Sequence, residues 1–104
     1  MSAEIPLEFT MPLQEHVDSI QGDTVTLTCE VNKPNKVAMW LRDGEQVMVA
    51  DGFEIVAEGN VHKLIIRRAS LDHEAEYTCM TGKVDTTTML YVEGAALLPW
   101  QVFL

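Results

Sequence analysis

The sequence predicts an all-β fold built from two packed antiparallel sheets. Three observations point there. Apolar residues recur with a period of two, as in Thr24-Val25-Thr26-Leu27-Thr28-Cys29, which is the pattern of a half-buried strand. Such runs are short, lie about ten residues apart and are separated by Gly, Pro, Asn and Asp, the spacing of a sandwich. No stretch carries a convincing 3.6-residue apolar period, so no helix is expected.

The elements follow in chain order. Residues 7–10 and 16–20 read as one interrupted first strand, with Pro12 at the break, where a residue lacking an N–H belongs. Residues 24–29 form the second strand. Residues 37–41 form a third, closed by Asp43-Gly44, a strong hairpin-turn pair. Phe53, Ile55 and Ala57 alternate with Glu54, Val56 and Glu58 in a fourth. Glu58-Gly59-Asn60 turns the chain into residues 61–67, where Leu64 and Ile66 share a face. Residues 75–81 place Ala75, Tyr77 and Cys79 on one side, and residues 86–93 do the same for Thr88, Leu90 and Val92. Seven or eight strands result. No internal repeat or low-complexity segment is visible.

A chain of 104 residues is one domain's worth, and 47% apolar residues suffice for a single core. Sixteen acids against seven bases leave a net charge of −9. This excludes the basic footprint of a nucleic-acid binder and disfavours an electrostatic membrane-surface module. No run approaches the length of a transmembrane helix. The first residues lack the basic start and apolar run of a secretory signal, and none of Asn32, Asn35 and Asn60 opens a glycosylation acceptor. These features lead to an expectation of an intracellular location.

Catalytic and metal-binding chemistry find little support. Ser19 and Ser70 have no glycine elbow, and the six glycines stand singly, so no phosphate cradle exists. His16, His62 and His73 come from separate segments at no ligand spacing and are expected to be ordinary surface or loop histidines. Asp72, Glu74 and Glu76 read as a solvated acidic loop, lacking the oxygen count and glycine of a calcium loop. Arg67 and Arg68 with Lys63 read as a strand-end charge set. The expectation is a protein without enzyme activity, metal or cofactor.

Two cysteines, Cys29 and Cys79, lie 50 positions apart; Trp40 follows the first by eleven, and Tyr77 precedes the second by two. With Leu64-x-Ile66 between, this set resembles the immunoglobulin fold, where an indole packs on the cysteine pair and a tyrosine hydroxyl ties down a corner. Residues 9–14, Trp40-Leu41-Arg42-Asp43-Gly44, residues 59–66 and Ala75-Glu76-Tyr77-Thr78-Cys79 are similar to the I-set domains of the titin, obscurin and myosin-binding protein C family. One departure is visible: that family usually carries an acid four residues before the corner tyrosine, and this chain has His73.

The resemblance covers residues 7–93, leaving an N-terminal extension (1–6) and an apolar tail (94–104). It implies an I-set antiparallel β-sandwich with Cys29, Trp40, Leu64, Tyr77 and Cys79 as its structural markers. It further implies a non-enzymatic scaffolding and protein-binding module of the sarcomere or cytoskeleton, in the cytoplasm. The alternative is an extracellular adhesion or receptor domain, since the fold serves both. In the cytosol the cysteines would be reduced; outside the cell they would bridge, adding roughly 4 kcal/mol through the closed loop.

Strand parity locates a candidate partner surface. If Trp40, Tyr77, Cys79, Leu90 and Val92 point inward, then Val37, Met39, Leu41, Met80, Met89 and Tyr91 point outward. Three neighbouring strands would thus present an apolar, Met-rich face, with Met39, Leu41, Met80, Met89 and Tyr91 expected to bind another protein, another immunoglobulin domain included. The opposite sheet would show Thr24, Thr26, Thr28, Glu54, Lys63 and Arg67, with Val56 and Ile65 as apolar exceptions. After Gly94 the tail runs Leu97-Leu98-Pro99-Trp100-Gln101-Val102-Phe103-Leu104. It reads either as the first strand of a following segment or as a strand that folds back or adds to a sheet edge, in its own molecule or a neighbour.

Overall fold

The computed structural model describes residues 5–94; the sequence readings on residues 1–4 and on the tail from residue 95 lie outside the described residues. Among the described residues nine strands occur in order: β1 Phe9–Met11, β2 His16–Ile20, β3 Val25–Val31, β4 Met39–Arg42, β5 Glu45–Gln46, β6 Phe53–Glu58, β7 Val61–Ile66, β8 Ala75–Thr81 and β9 Val84–Glu93. No α-helix occurs among the described residues; two single 3₁₀ turns sit at Val49–Asp51 and Leu71–His73. The count exceeds the expected seven or eight because the first strand divides in two and β5 is only two residues long.

The strands form a four-stranded sheet in the order β1-β3-β7-β6 and a five-stranded sheet in the order β2-β9-β8-β4-β5. Pro12 marks the place where the first strand changes sheets. Before it, β1 pairs antiparallel with the end of β3; after it, β2 pairs parallel with β9. All other pairings are antiparallel. The β4–β5 hairpin turns on Asp43 and Gly44, both at positive φ (48° and 86°), as a two-residue turn matched to strand twist requires. Asp43 also docks the turn on β8, its N–H donating to the Glu76 carbonyl and its carboxylate accepting the Glu76 N–H at 3.0 Å.

The core lies between the sheets. Leu27, Leu64, Ile66 and Leu90 are at most 2% exposed and pack with Val25, Phe53, Ala75 and Val92. Each such large side chain contributes about 1.5–3 kcal/mol by leaving water. The alternation on β3 and β8 is strict, with every second residue buried. Ile55 on β6 is inward by register, opposite buried Leu64, yet 39% exposed, because β6 is an edge strand at the rim of the sandwich.

One expectation is corrected. His62 is not a surface or loop residue: it sits mid-strand on β7, 1% exposed, on the inner face opposite Cys29. It shares the parity of Leu64 and Ile66, so the strand period that buries those two buries the imidazole with them. Desolvation lowers its pKa, and Nε2 has no hydrogen-bond partner among the described residues.

Candidate protein-docking face

The five fold markers converge at the centre of the sandwich. Trp40 on β4 stands opposite Cys79 on β8, and Cys29 lies on β3 of the facing sheet. All three are at most 1% exposed. Both cysteines stand as thiols. The hydrogen bond with Cys29 and burial hold the Cys79 thiol far above the usual thiol range, so it stays protonated. Tyr77, with no exposure, donates its hydroxyl to the His73 carbonyl at 2.6 Å. Burial pushes its phenol up to about 12, which keeps the proton on the donor.

His73 closes the loop before β8 with a ring nitrogen. Its Nδ1 accepts the Ser70 backbone N–H at 2.8 Å, closing the 3₁₀ turn before β8. The ring stands edge-on to Phe53 at 5.6 Å. Desolvation, followed by the charge of Arg42, lowers its pKa, so the neutral acceptor form prevails. Arg42 itself donates to the Asp72 carbonyl, tying β4 to the same loop.

The outward face of the five-stranded sheet can be laid out from its registers. In antiparallel pairing, directly opposed residues share a face. Met39 opposes Met80, which opposes Asp85; Leu41 opposes Thr78, which opposes Thr87. Glu76 opposes Met89, and the parallel strand β2 sets His16 beside Met89, Asp18 beside Tyr91 and Ile20 beside Glu93. Met39 and Tyr91 are each 43% exposed, while Leu41, Met80 and Met89 are partly exposed. Val37 precedes β4 and is 88% exposed, off the sheet itself. All five nominated residues thus stand on one face.

They do not form one continuous patch. A hydroxyl pair, Thr78 and Thr87 at 3.0 Å, crosses the middle. It separates an upper group (Met39, Met80, Leu41) from a lower one (Met89, Tyr91, Ile20). Around both run Asp85, Glu76, Asp18 and Glu93. Of the described ion pairs only His16–Asp18, at 3.7 Å, falls on this face. His16 also meets Tyr91 edge-on at 6.1 Å. Sequence reading missed the β2 contribution: Val17 packs inward, which sends His16, Asp18 and Ile20 outward, but only the pairing with β9 joins them to Tyr91.

The opposite sheet is chemically different. Glu54 and Arg67 form a charged pair across its outer surface, which lowers the Glu54 pKa and raises that of Arg67. Thr26 is exposed and Thr28 partly so. No cluster of three or more His, Cys, Asp or Glu able to hold a metal occurs among the described residues. The arrangement suits burial of apolar area within an acidic perimeter.

Comparison with known proteins places this geometry. The family model of the immunoglobulin I-set domain matches residues 7–90. The chain is 37% identical over 80 residues to fast-type myosin-binding protein C of Gallus gallus, covering 75% of this chain and 7% of that protein. It spans 11% of slow-type myosin-binding protein C of Rattus norvegicus, at 33% identity over 69% of this chain. Among solved structures, domain I10 of titin superimposes with a TM-score of 0.79 at 31% identity, covering 85% of this chain and 99% of that one.

Proposed function

The chain belongs to the immunoglobulin I-set family, and on that premise we propose that it is a non-enzymatic scaffolding module that docks protein partners through the outward face of its five-stranded sheet. Its relatives include titin and myosin-binding protein C, and a titin Z1Z2 structure at 26% identity was solved in complex with telethonin. Those likenesses support a place in the muscle cytoskeleton, inside the cell. They also support a role as one unit of a longer chain, since the similarity covers only a small part of each relative.

The observation that carries the docking reading is the contrast between the two outer faces. One sheet mixes threonines, Lys63 and the Glu54–Arg67 pair with Val56, Val61 and Ile65 partly in water, and it carries no methionine cluster. The other holds Met39, Leu41, Met80, Met89 and Tyr91 partly in water. Methionine side chains adapt their shape to a partner, and an exposed apolar group of this kind gains about 25 cal/mol for each Å² covered. The module's mechanism is that burial, oriented by the carboxylates around it.

The test is a double variant, Met80→Glu with Met89→Lys, applied as labelled protein to isolated myofibrils. Striated binding by the native chain and its loss in the variant are expected, with stability changed by no more than about 1 kcal/mol. Equal binding by both proteins would remove the face from the mechanism. Collapse of the fold in the variant would show that the methionines serve the core.

A further inference from the structure

The methionine face carries charge of one sign. Its outward strand positions hold four exposed carboxylates and, among the described residues, no lysine or arginine. Arg42, at the end of β4, shares the inward parity of Trp40 and donates to the Asp72 carbonyl. Each carboxylate stands opposite an apolar or aromatic side chain: Asp85 faces Met80, Glu76 faces Met89, Asp18 faces Tyr91 and Glu93 faces Ile20. The outer surface of the other sheet differs, because Lys63 and Arg67 stand there among the acids.

At the lower corner these groups frame a hollow. Asp18, Asp23 and Glu93 line an open cleft of about 440 Å³ around Ile20, which is 51% exposed. The Asp23 carboxylate is fixed there, accepting the Ile20 N–H at 3.2 Å. Tyr91 stands beside Asp18 with its ring partly in water. An aliphatic floor, an aromatic ring and carboxylate walls match a lysine or arginine, whose stem is apolar and whose end is cationic.

Such a face selects its occupant by charge. A wholly apolar partner would strip water from the carboxylates and return no counter-charge. A second copy docked face to face would set the same carboxylates against one another. We propose that the partner is a basic protein segment, with apolar side chains covering Met39 and Met80 and a lysine or arginine seated on Ile20 and Tyr91 between Asp18 and Glu93. This inference rests on the docking reading above and adds the chemistry of the partner.

The layout also sets the partner's reach and direction. Asp85, level with Met80, and Tyr91 lie six residues apart on β9, about 20 Å at strand rise. An extended segment of about six residues, or a helix of about thirteen, spans that distance. The Thr78–Thr87 hydroxyl bridge lies between the two stations and suits a polar middle. The upper station has one carboxylate, Asp85, and the lower has Glu76, Asp18 and Glu93, so the basic residues belong at one end of the segment.

Binding of the full 104-residue chain, fluorescently labelled, to isolated myofibrils tests this. Asp18→Asn with Glu93→Gln removes two charges and keeps the side-chain shapes; binding at least about tenfold weaker than native is expected, with a smaller dependence on salt. Glu30→Gln with Glu58→Gln removes the same charge from the opposite sheet and is expected to bind as the native chain does. Equal weakening by both pairs would reduce the effect to net charge and overturn the proposal. Binding that survives Asp18→Asn with Glu93→Gln, yet is lost in Met80→Glu with Met89→Lys, would keep the docking face and overturn the basic partner. Binding absent from the native chain, or unchanged in every variant, would overturn both readings.

Discussion

His62 makes the stability of this domain depend on pH through a proton the folded state refuses. The imidazole is 1% exposed between the sheets and its pKa is lowered by desolvation alone. Unfolded, it titrates near the ordinary value of about 6.5. Above that pH neither state is protonated there, and the residue's full contribution to stability is present. As pH falls below it, the unfolded chain binds a proton that the folded chain does not, so stability is lost. If the folded ring stays neutral throughout, the loss between pH 7.5 and 5.5 approaches an upper limit of about 1.4 kcal/mol. The window lies above the usual carboxylate range, so Asp and Glu contribute little within it.

The perturbation is His62→Leu, and the assay is urea unfolding at half-unit steps of pH. The native chain is expected to lose stability steadily toward pH 5.5, and the variant to lose less by up to about 1.4 kcal/mol. His73 contributes in the same direction, because its folded pKa is also lowered and its neutral Nδ1 accepts the Ser70 N–H, so some slope remains in the variant. Identical slopes for the two proteins would refute the reasoning. So would a native chain that gains stability on acidification.

Two further outcomes follow from the same packing. Tyr77→Phe removes the hydroxyl that donates to the His73 carbonyl at 2.6 Å and is expected to cost about 1 kcal/mol, measured as a shift in urea midpoint with unchanged slope. Leu64→Ala, at a position with no exposure that opposes both Leu27 and Ile55, is expected to cost about 2–5 kcal/mol, enough to threaten folding of a domain this size, as thermal unfolding would show.

Much of this structure is readable along the chain. Alternation on β3, β7 and β8 reports which side of a strand meets apolar neighbours, and Pro12 and Asp43-Gly44 report where pairing must stop or turn. The same reasoning, applied to His62, places it inside with Leu64 and Ile66; residue type pointed to the surface, while parity decided the matter. The candidate face was partly legible in the same way, since the outward direction of Met39, Met80 and Tyr91 follows from their buried neighbours.

What the sequence determined by itself is therefore local: strand positions, turn positions and the inward or outward sense of each side chain, because these depend on backbone geometry over a few residues. What only the tertiary structure decided is adjacency. The parallel docking of β2 on β9 joins residues about 70 positions apart, bringing Asp18 and Ile20 to Tyr91 and Glu93. The pairing of β8 with β9 draws the Thr78–Thr87 hydroxyl bridge across the methionine face, and the short reach of β1 leaves Thr26 and Thr28 without a partner strand on that side among the described residues. Register between distant strands is set by the mutual fit of two buried faces, a condition that no single strand carries in its own residues.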